Sequence, residues 1–381
     1  MNKVLLYSLG AALLTACAPN RPAITVENPS DFPRESETVE VALSALSALS
    51  ADFGNALYVL KDVKGREVPY QLLYENGLAA TLVFPVDIPA GTTAAYYLEK
   101  GVPSEVKPRT YARYVPERKD DLAWENDLAA YRMYGPALAA ENPGNGVDLW
   151  LKCTDEPVVD KFYYDELCNG LSYHVDRGLG LDCYSVGHTL GAGGISPYTS
   201  RLWVGGHYTA QHVAFTGPLR SEFTLTYDSV QVDGKTYRQS LTITVSAGSL
   251  FNKVLVTYEG EDAPIRLAAG IFLHNGEGTE FISEKYPVIA YAEQAVSEAG
   301  LPAGRCYTAV CMPGGSNPEH VDKHFVLTTA YKPGDTLTYY FGGGWSKWKF
   351  PTDNDWFRAV ERFARAIEEP LRVTVQQAPG R

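Results

Sequence analysis

Residues able to carry chemistry concentrate between Trp124 and Tyr198, in two runs. The first holds Trp124-Glu125-Asn126-Asp127, then Tyr131-Arg132-Met133-Tyr134-Gly135-Pro136, then Gly146-Val147-Asp148-Leu149-Trp150-Leu151-Lys152. The second holds Tyr173-His174-Val175-Asp176-Arg177-Gly178-Leu179-Gly180-Leu181-Asp182-Cys183-Tyr184, then Val186-Gly187-His188 and the glycine-rich end at 191–194. His174, His188 and Tyr184 can exchange protons, and Lys152, Arg132 and Arg177 can neutralise a carboxylate. Asp148, Asp176 and Asp182 can orient a histidine or bind sugar hydroxyls. These are the parts that β-elimination next to a carboxylate requires: a base for the α-proton, a cation for the enediolate, and an acid for the leaving oxygen. Asp148, Asp176 and Glu125 would alternatively serve as the carboxylate pair of a glycosidase. Residues 170–194 hold 7 of the 34 glycines, which implies a backbone that turns tightly or approaches something closely. No Gly-x-Gly-x-x-Gly enters a helix, and no Gly-x-Ser-x-Gly elbow is present. In a strand-rich chain a lone histidine is more often a satisfied polar residue than a catalyst. His207, His212 and His274, on strand-like runs, are read that way, whereas His174 and His188 share the glycine-dense segment.

The elements around these runs read as strands. Ile24-Thr25-Val26, Val39-Glu40-Val41, Leu57 to Leu60, Thr81 to Phe84 and Ala95 to Leu98 alternate with turn signals, as in a small sandwich. The repeat at 42–51, ALSALSALSA, is a short helix or a loop among them. Residues 101–118, with three prolines, form a linker. Beyond it, Glu222 to Tyr227, Val230 and Val232 lead into an Asp233-Gly234 hairpin, with Leu241 to Val245 returning. One long helix is predicted, with Trp356, Val360, Phe363, Ala364 and Ile367 on one face, Asp355 as N-cap and Pro370 as stop. The expected fold is all-β: a small sandwich at 24–100 and a large one over 119–381, with a single C-terminal helix.

The chain has 381 residues, 45% hydrophobic and 20% charged, with a formal charge of −12. That is apolar enough for a core, and too acidic for a nucleic-acid binder. Twenty-five tyrosines and 6 tryptophans against 14 phenylalanines suit amphipathic ligands such as sugars, and also follow from strand propensity. Lys3 precedes an apolar run, Val4 to Leu14, too short to span a bilayer and read as a signal segment over 1–16. Leu14-Thr15-Ala16-Cys17 resembles a bacterial lipobox, so Cys17 is the expected lipidation site, followed by a tether over 17–23. The expected location is therefore the outer membrane, on the periplasmic side. Five further cysteines leave an odd thiol. Cys306-x4-Cys311-x8-His320-x3-His324 resembles a zinc pattern only superficially, its Pro-Gly-rich spacer being no finger. No metal or other cofactor is expected.

The two runs, with the opening Ile-Thr-Val-Glu-Asn-Pro-Ser-Asp (24–31), resemble the ulvan oligosaccharide dehydratase family of polysaccharide-utilisation lipoproteins. That family usually carries a basic residue directly after Trp-Glu-Asn-Asp, where this chain has Leu128. The resemblance implies a carbon–oxygen lyase that removes water from a non-reducing-end uronate of an oligosaccharide, leaving a 4,5-unsaturated uronate, on a mutarotase-like supersandwich. On that reading His174 or Tyr184 is the base and His188 the acid. Lys152 and Arg132 hold the carboxylate, and Asp176 orients. Trp124, Glu125, Asn126, Asp148 and Arg177 line the substrate site. A non-catalytic sugar-binding lipoprotein and a chain-cleaving lyase or hydrolase are the rival readings.

Overall fold

Period-two alternation places one set of side chains from each strand in a core, and in the computed structural model of this protein two such cores result. Residues 23–46, 56–144, 146–315 and 318–376 are described; the expected signal segment, Cys17 and the tether up to residue 22 lie outside them. The first core lies between two antiparallel sheets. One is built from Ala23–Glu27, Thr93–Lys100, Tyr58–Asp62 and Glu67–Val68, the other from Arg34–Ala42, Leu78–Ile88 and Gln71–Glu75. Ile24, Val26, Val39, Val41, Leu60 and Phe84 fill the space between them. The repeat at 42–51 begins as a 3-10 turn, Leu43–Leu46, with Leu43 and Leu46 buried. Residues 47–55 lie outside the described chain. The last strand, Arg372–Gln376, pairs with Ala23–Glu27 at the edge of this small sandwich, so the end of the chain returns to the first unit. The expected linker at 101–118 contains a strand, Thr110–Val115, that belongs to the large unit.

The large sandwich sets an eight-stranded antiparallel sheet against two smaller sheets, of five and four strands. Its longest hairpin, Arg220–Val232 with Lys235–Ser246, turns at Asp233 and Gly234. Both carry positive φ, 49° and 78°, the geometry that a two-residue hairpin turn demands. Trp124, stacked on Tyr131 at 5.6 Å, and Phe223 and Phe341 lie at the centre of this core. On the outer face of the eight-stranded sheet lies the helix Asp353–Glu368. Trp356 stacks on Tyr307 and Phe363 on Phe251. Its N-cap is Thr352, not Asp355: Asp355 sits three residues on and completes a capping box by bonding back to Thr352.

A second helix, Val159–Asn169, was not expected. It ends at Gly170, whose φ of 64° is the left-handed stop glycine provides, and it packs Phe162 and Tyr163 on Trp150. Cys306 and Cys311 share the strand Pro302–Cys311 but are an odd number of residues apart. Cys306 therefore faces the sandwich core and Cys311 the helix, so the two thiols do not converge with the histidines.

Candidate active site

Four neighbouring strands of the five-stranded sheet carry the motif residues: Asp121–Asn126, Ala129–Met133, Asp148–Lys152 and Gly180–Asp182. Alternation divides each motif in two. Leu122, Trp124, Tyr131, Met133, Leu149, Leu151 and Leu181 face the sandwich core. Asp121, Glu125, Arg132, Asp148, Trp150, Lys152 and Asp182 share the opposite face, where Arg132 stands opposite Asp148 and Trp150 opposite Asp182. The helix Val159–Asn169 and the loop after it cover that face, so its polar groups are buried and must find partners within the protein. Gly180 allows the last strand to close in: with φ of 131°, a Cβ there would sit 1.9 Å from the Leu151 carbonyl oxygen.

At one end of this face Lys152 Nζ lies 2.6 Å from Glu125 Oε2 and donates to the Asn126 carbonyl at 2.8 Å. Both side chains are 1% exposed or less. Glu125 also accepts the backbone N–H groups of Val158 and Val159, capping the helix start. Lys152 and Glu125 thus hold the scaffold together and are not open to a substrate. Trp124 donates to Asn252 inside the core. The Asn126 amide bonds the Ser246 and Ser249 carbonyls, while its oxygen accepts from Leu128 and Ala129. These four expected site residues are structural.

At the other end Arg132 is the hub. Its guanidinium bonds Asp148 at 2.8 Å, Asp182 at 2.8 Å and the Tyr173 hydroxyl at 2.9 Å, and it lies within 5.1 Å of the Tyr134 and Trp150 rings. Trp150 Nε1 also donates to Asp148. Asp121 lies 3.7 Å from Arg132 and 3.9 Å from Arg118. Two guanidinium groups therefore meet three carboxyls, and a proton on one carboxyl makes the cluster neutral. Burial, with Asp148 alongside, pushes the Asp182 carboxyl well above its ordinary range. Burial pushes Asp121 up to about 6, against the pull of Arg132 and Arg118. Arg132 is thus already balanced from within, which differs from the expectation that it takes a substrate carboxylate. Asp148 is likewise inaccessible.

A cleft of about 490 Å³ opens above this cluster, lined by Arg132, Tyr134, Asn142, His174, Asp182 and Tyr184 among others. The His174 side chain is 37% exposed, with Nδ1 2.9 Å from the Asp182 carbonyl oxygen and 3.6 Å from its carboxylate. A carbonyl only accepts, so Nδ1 carries the hydrogen and Nε2 of the neutral ring is the free acceptor. The Tyr184 hydroxyl is buried without a partner. Burial, reinforced by Glu293, raises its pKa far above the ordinary value, so it stays a phenol. That is the opposite of what a base needs. Behind it His274 is held between two acceptors, Glu293 at 2.6 Å and the Ser185 carbonyl at 2.8 Å.

The remaining expected residues lie elsewhere. Asp176 accepts from the Gly178 amide and sits 3.4 Å from Lys347, orienting its own turn and no histidine. The Arg177 guanidinium folds back on the Ser172 and Val175 carbonyls. His188 is exposed, 3.4 Å from the Pro143 carbonyl, and lines a separate cleft with Thr189, Arg201 and Trp203. The expected pairing of His174 with His188 is therefore not assembled in one cavity. Asp121 and Arg118 lie outside the motif runs, Tyr173 stands in the second run without a predicted role, and His274 is the satisfied polar residue that its strand-like run suggests. Stepping back two residues at a time from Glu125 along its strand leads to Asp121.

Comparison with known proteins fits this architecture. An α-mannosidase from Enterococcus faecalis V583 superposes with a TM-score of 0.51 at 9% identity, and a glycosyl hydrolase family 38 protein from Enterococcus faecalis with 0.50 at 9%. Each match covers 95% of this chain, which spans only 48% and 46% of those two structures, family 38 protein first, so the likeness is one of fold. Uncharacterized protein P7 of Formosa agariphila is 28% identical over 402 residues, covering 98% of this chain and 99% of the relative. Residues 26–373 match the family described as domain of unknown function DUF4861, and the chain belongs to that family.

Proposed function

We propose that this protein is a carbohydrate-active enzyme, and more specifically an oligosaccharide dehydratase. It would remove water from a non-reducing-end uronate to leave a 4,5-unsaturated sugar. The observation that carries this reading is His174: a half-exposed imidazole at the cleft whose tautomer is fixed by the Asp182 carbonyl, leaving Nε2 free to accept a proton. In the proposed step Nε2 takes the C5 proton. The C5–H electrons move into the carboxylate as an enediolate, then form the C4–C5 double bond as the 4-hydroxyl departs. Asp182, its carboxyl held up by burial, donates a hydrogen bond to the developing enediolate, with Arg132 behind it. Tyr184, kept as a phenol, donates a hydrogen bond to the leaving oxygen, which takes its proton from water in the cleft. The likeness of the motif runs to ulvan oligosaccharide dehydratases supports the choice of reaction, and the fold shared with sugar-processing enzymes supports the choice of substrate class.

The glycosidase alternative loses its carboxylate pair, because Glu125 and Asp148 are buried and Asp176 sits in a surface turn. We further propose that Cys17 is lipidated and that the enzyme acts from the outer membrane into the periplasm. The test is incubation with uronate-ended oligosaccharides, following product mass and the ultraviolet absorbance of a conjugated enoate. Loss of one water at constant chain length supports the reading. Shortened products, or an unchanged broad uronate panel, overturn it.

A further inference from the structure

The loop 185–189 is a wall shared by two clefts. Ser185, Val186 and Gly187 line the His174 cleft, while His188 and Thr189 line a second of about 430 Å³. The wall is fixed from behind. The Pro143 carbonyl faces His188, and Gly144 approaches the Gly187 carbonyl so closely that a Cβ would lie 1.6 Å from its oxygen. His188, which the reaction at His174 does not use, therefore faces a different space.

The second cleft has the chemistry of a sugar subsite. Leu202, Val204 and Phe272 line it beside a larger share of polar surface. Trp203 stands in it, pinned by a bond from Nε1 to the Thr199 hydroxyl at 2.9 Å, and the Arg201 guanidinium lies 4.1 Å from the Trp203 ring centroid. Arg201 is exposed and makes no ion pair among the described residues. A stacked guanidinium is pre-oriented and keeps its N–H fork free for a planar or tetrahedral anion. Two lining groups are already occupied. His324 is neutral, its Nδ1–H directed at the Asp322 carbonyl and its Nε2 accepting from Leu190. Asp322, the one carboxylate lining the cleft, accepts the Leu202 amide through Oδ2. What remains open is the part of Trp203 that lines the cleft, an arginine without an ion pair among the described residues and the imidazole of His188, on a chain whose net charge is −12. The Arg201 and Asp322 charges offset each other, so the lining is close to neutral on an acidic chain.

We propose that this second cleft binds an anionic sugar residue, bearing a carboxylate or a sulfate ester, further along the oligosaccharide whose end occupies the His174 cleft. The exposed part of Trp203 packs against the sugar ring, Arg201 pairs with the anion, and His188 hydrogen-bonds the same residue from the wall of the second cleft. The proposal rests on the reading of the His174 cleft as the catalytic one, but it makes a binding claim that does not need turnover.

The test uses the full chain and its Arg201→Gln variant, at an exposed residue, and its Trp203→Ala variant, at a residue partly buried against the core, with the urea midpoint of each measured alongside. Probes are uronate-ended tetrasaccharides whose inner residue carries sulfate, carboxylate or neither, and a uronate-ended disaccharide. Calorimetric titration gives affinity directly, and turnover is followed in parallel. The expected result is an advantage of an anionic tetrasaccharide over the disaccharide that falls about tenfold in Arg201→Gln, as loss of one charge-assisted contact implies. Trp203→Ala should lower the affinity for all three tetrasaccharides. Preference for sulfate or for carboxylate on the inner residue identifies the anion. Equal affinities in wild type and both variants overturn the subsite. Affinity that depends on Arg201 without any turnover keeps the subsite and overturns the dehydratase reading.

Discussion

Replacing Lys152 by methionine separates a structural ammonium from a catalytic one. Its partner Glu125 is 1% exposed and 2.6 Å away, and breaking a buried pair by removing one member costs about 3–5 kcal/mol, because the other charge is left uncompensated. Lys152→Met belongs at the lower end, since Glu125 keeps the Val158 and Val159 amides. Glu125→Gln belongs at the upper end, since the ammonium keeps only the Asn126 carbonyl. The double variant Lys152→Met/Glu125→Gln leaves no buried charge, and its amide oxygen can still accept from the helix start. It should therefore be less destabilised than the sum of the singles by about 2–3 kcal/mol. Urea unfolding followed by tryptophan fluorescence measures all four corners of the cycle. Turnover is measured where every variant is folded, and it should stay within a few-fold of wild type. A Lys152→Met protein that unfolds at the wild-type urea concentration but has lost turnover would refute the argument and return the ammonium to the substrate.

Three further outcomes follow from the cleft. His174→Gln should lower kcat by at least about a hundredfold, the usual worth of a general base, with little change in the urea midpoint, because the ring is 37% exposed. Unchanged kcat would exclude it as the base. Tyr184→Phe removes a buried hydroxyl that has no partner. It should leave stability equal or up to about 1 kcal/mol higher while depressing turnover; full turnover would remove its hydrogen bond from the step. His274 sits between two acceptors, and although burial disfavours its charge, Glu293 outweighs that and raises its pKa above the ordinary value. A raised folded pKa contributes stability that is full below about pH 6.5, the unfolded value, and is lost as pH rises through the folded one. The stability gap between wild type and His274→Gln should therefore shrink from pH 6 towards alkaline pH, and a gap that widens would show that the imidazole is held neutral.

Strand content, both sandwiches and the Asp233-Gly234 hairpin were legible because each depends on local alternation and local turn chemistry. The helix Val159–Asn169 was not. Val158 offers no side-chain cap, and the cap comes instead from Glu125, 33 residues earlier in the chain, which no local pattern can reveal. The edge strand Arg372–Gln376 is similar. Its partner is Ala23–Glu27, at the other end of the protein, and a strand that contributes an edge to a distant sheet has no neighbour in sequence to announce it.

The motif runs stand out in the sequence, but their meaning depends on a step the sequence withholds. Charged residues at alternate positions of a strand normally mark a face turned to water. On Asp121–Asn126, Ala129–Met133 and Asp148–Lys152 they mark a face turned under a helix, so the same pattern encodes a buried network in which every cation has its own carboxylate. Sequence alone leaves Lys152 and Arg132 open to a substrate carboxylate because nothing local shows what covers them. His174 is placed in the opposite way, exposed at the cleft. It lies in the loop that emerges from beneath the helix, where the chain passes from covered to open. The network and the His174 imidazole are then parts of one device. The buried charges fix the Gly180–Asp182 strand, and the Asp182 carbonyl on that strand fixes the imidazole. Weakening Arg132 should therefore disturb His174 without any contact between Arg132 and the substrate, which gives Arg132→Gln a turnover defect that tracks the imidazole's tautomer and not the substrate's charge.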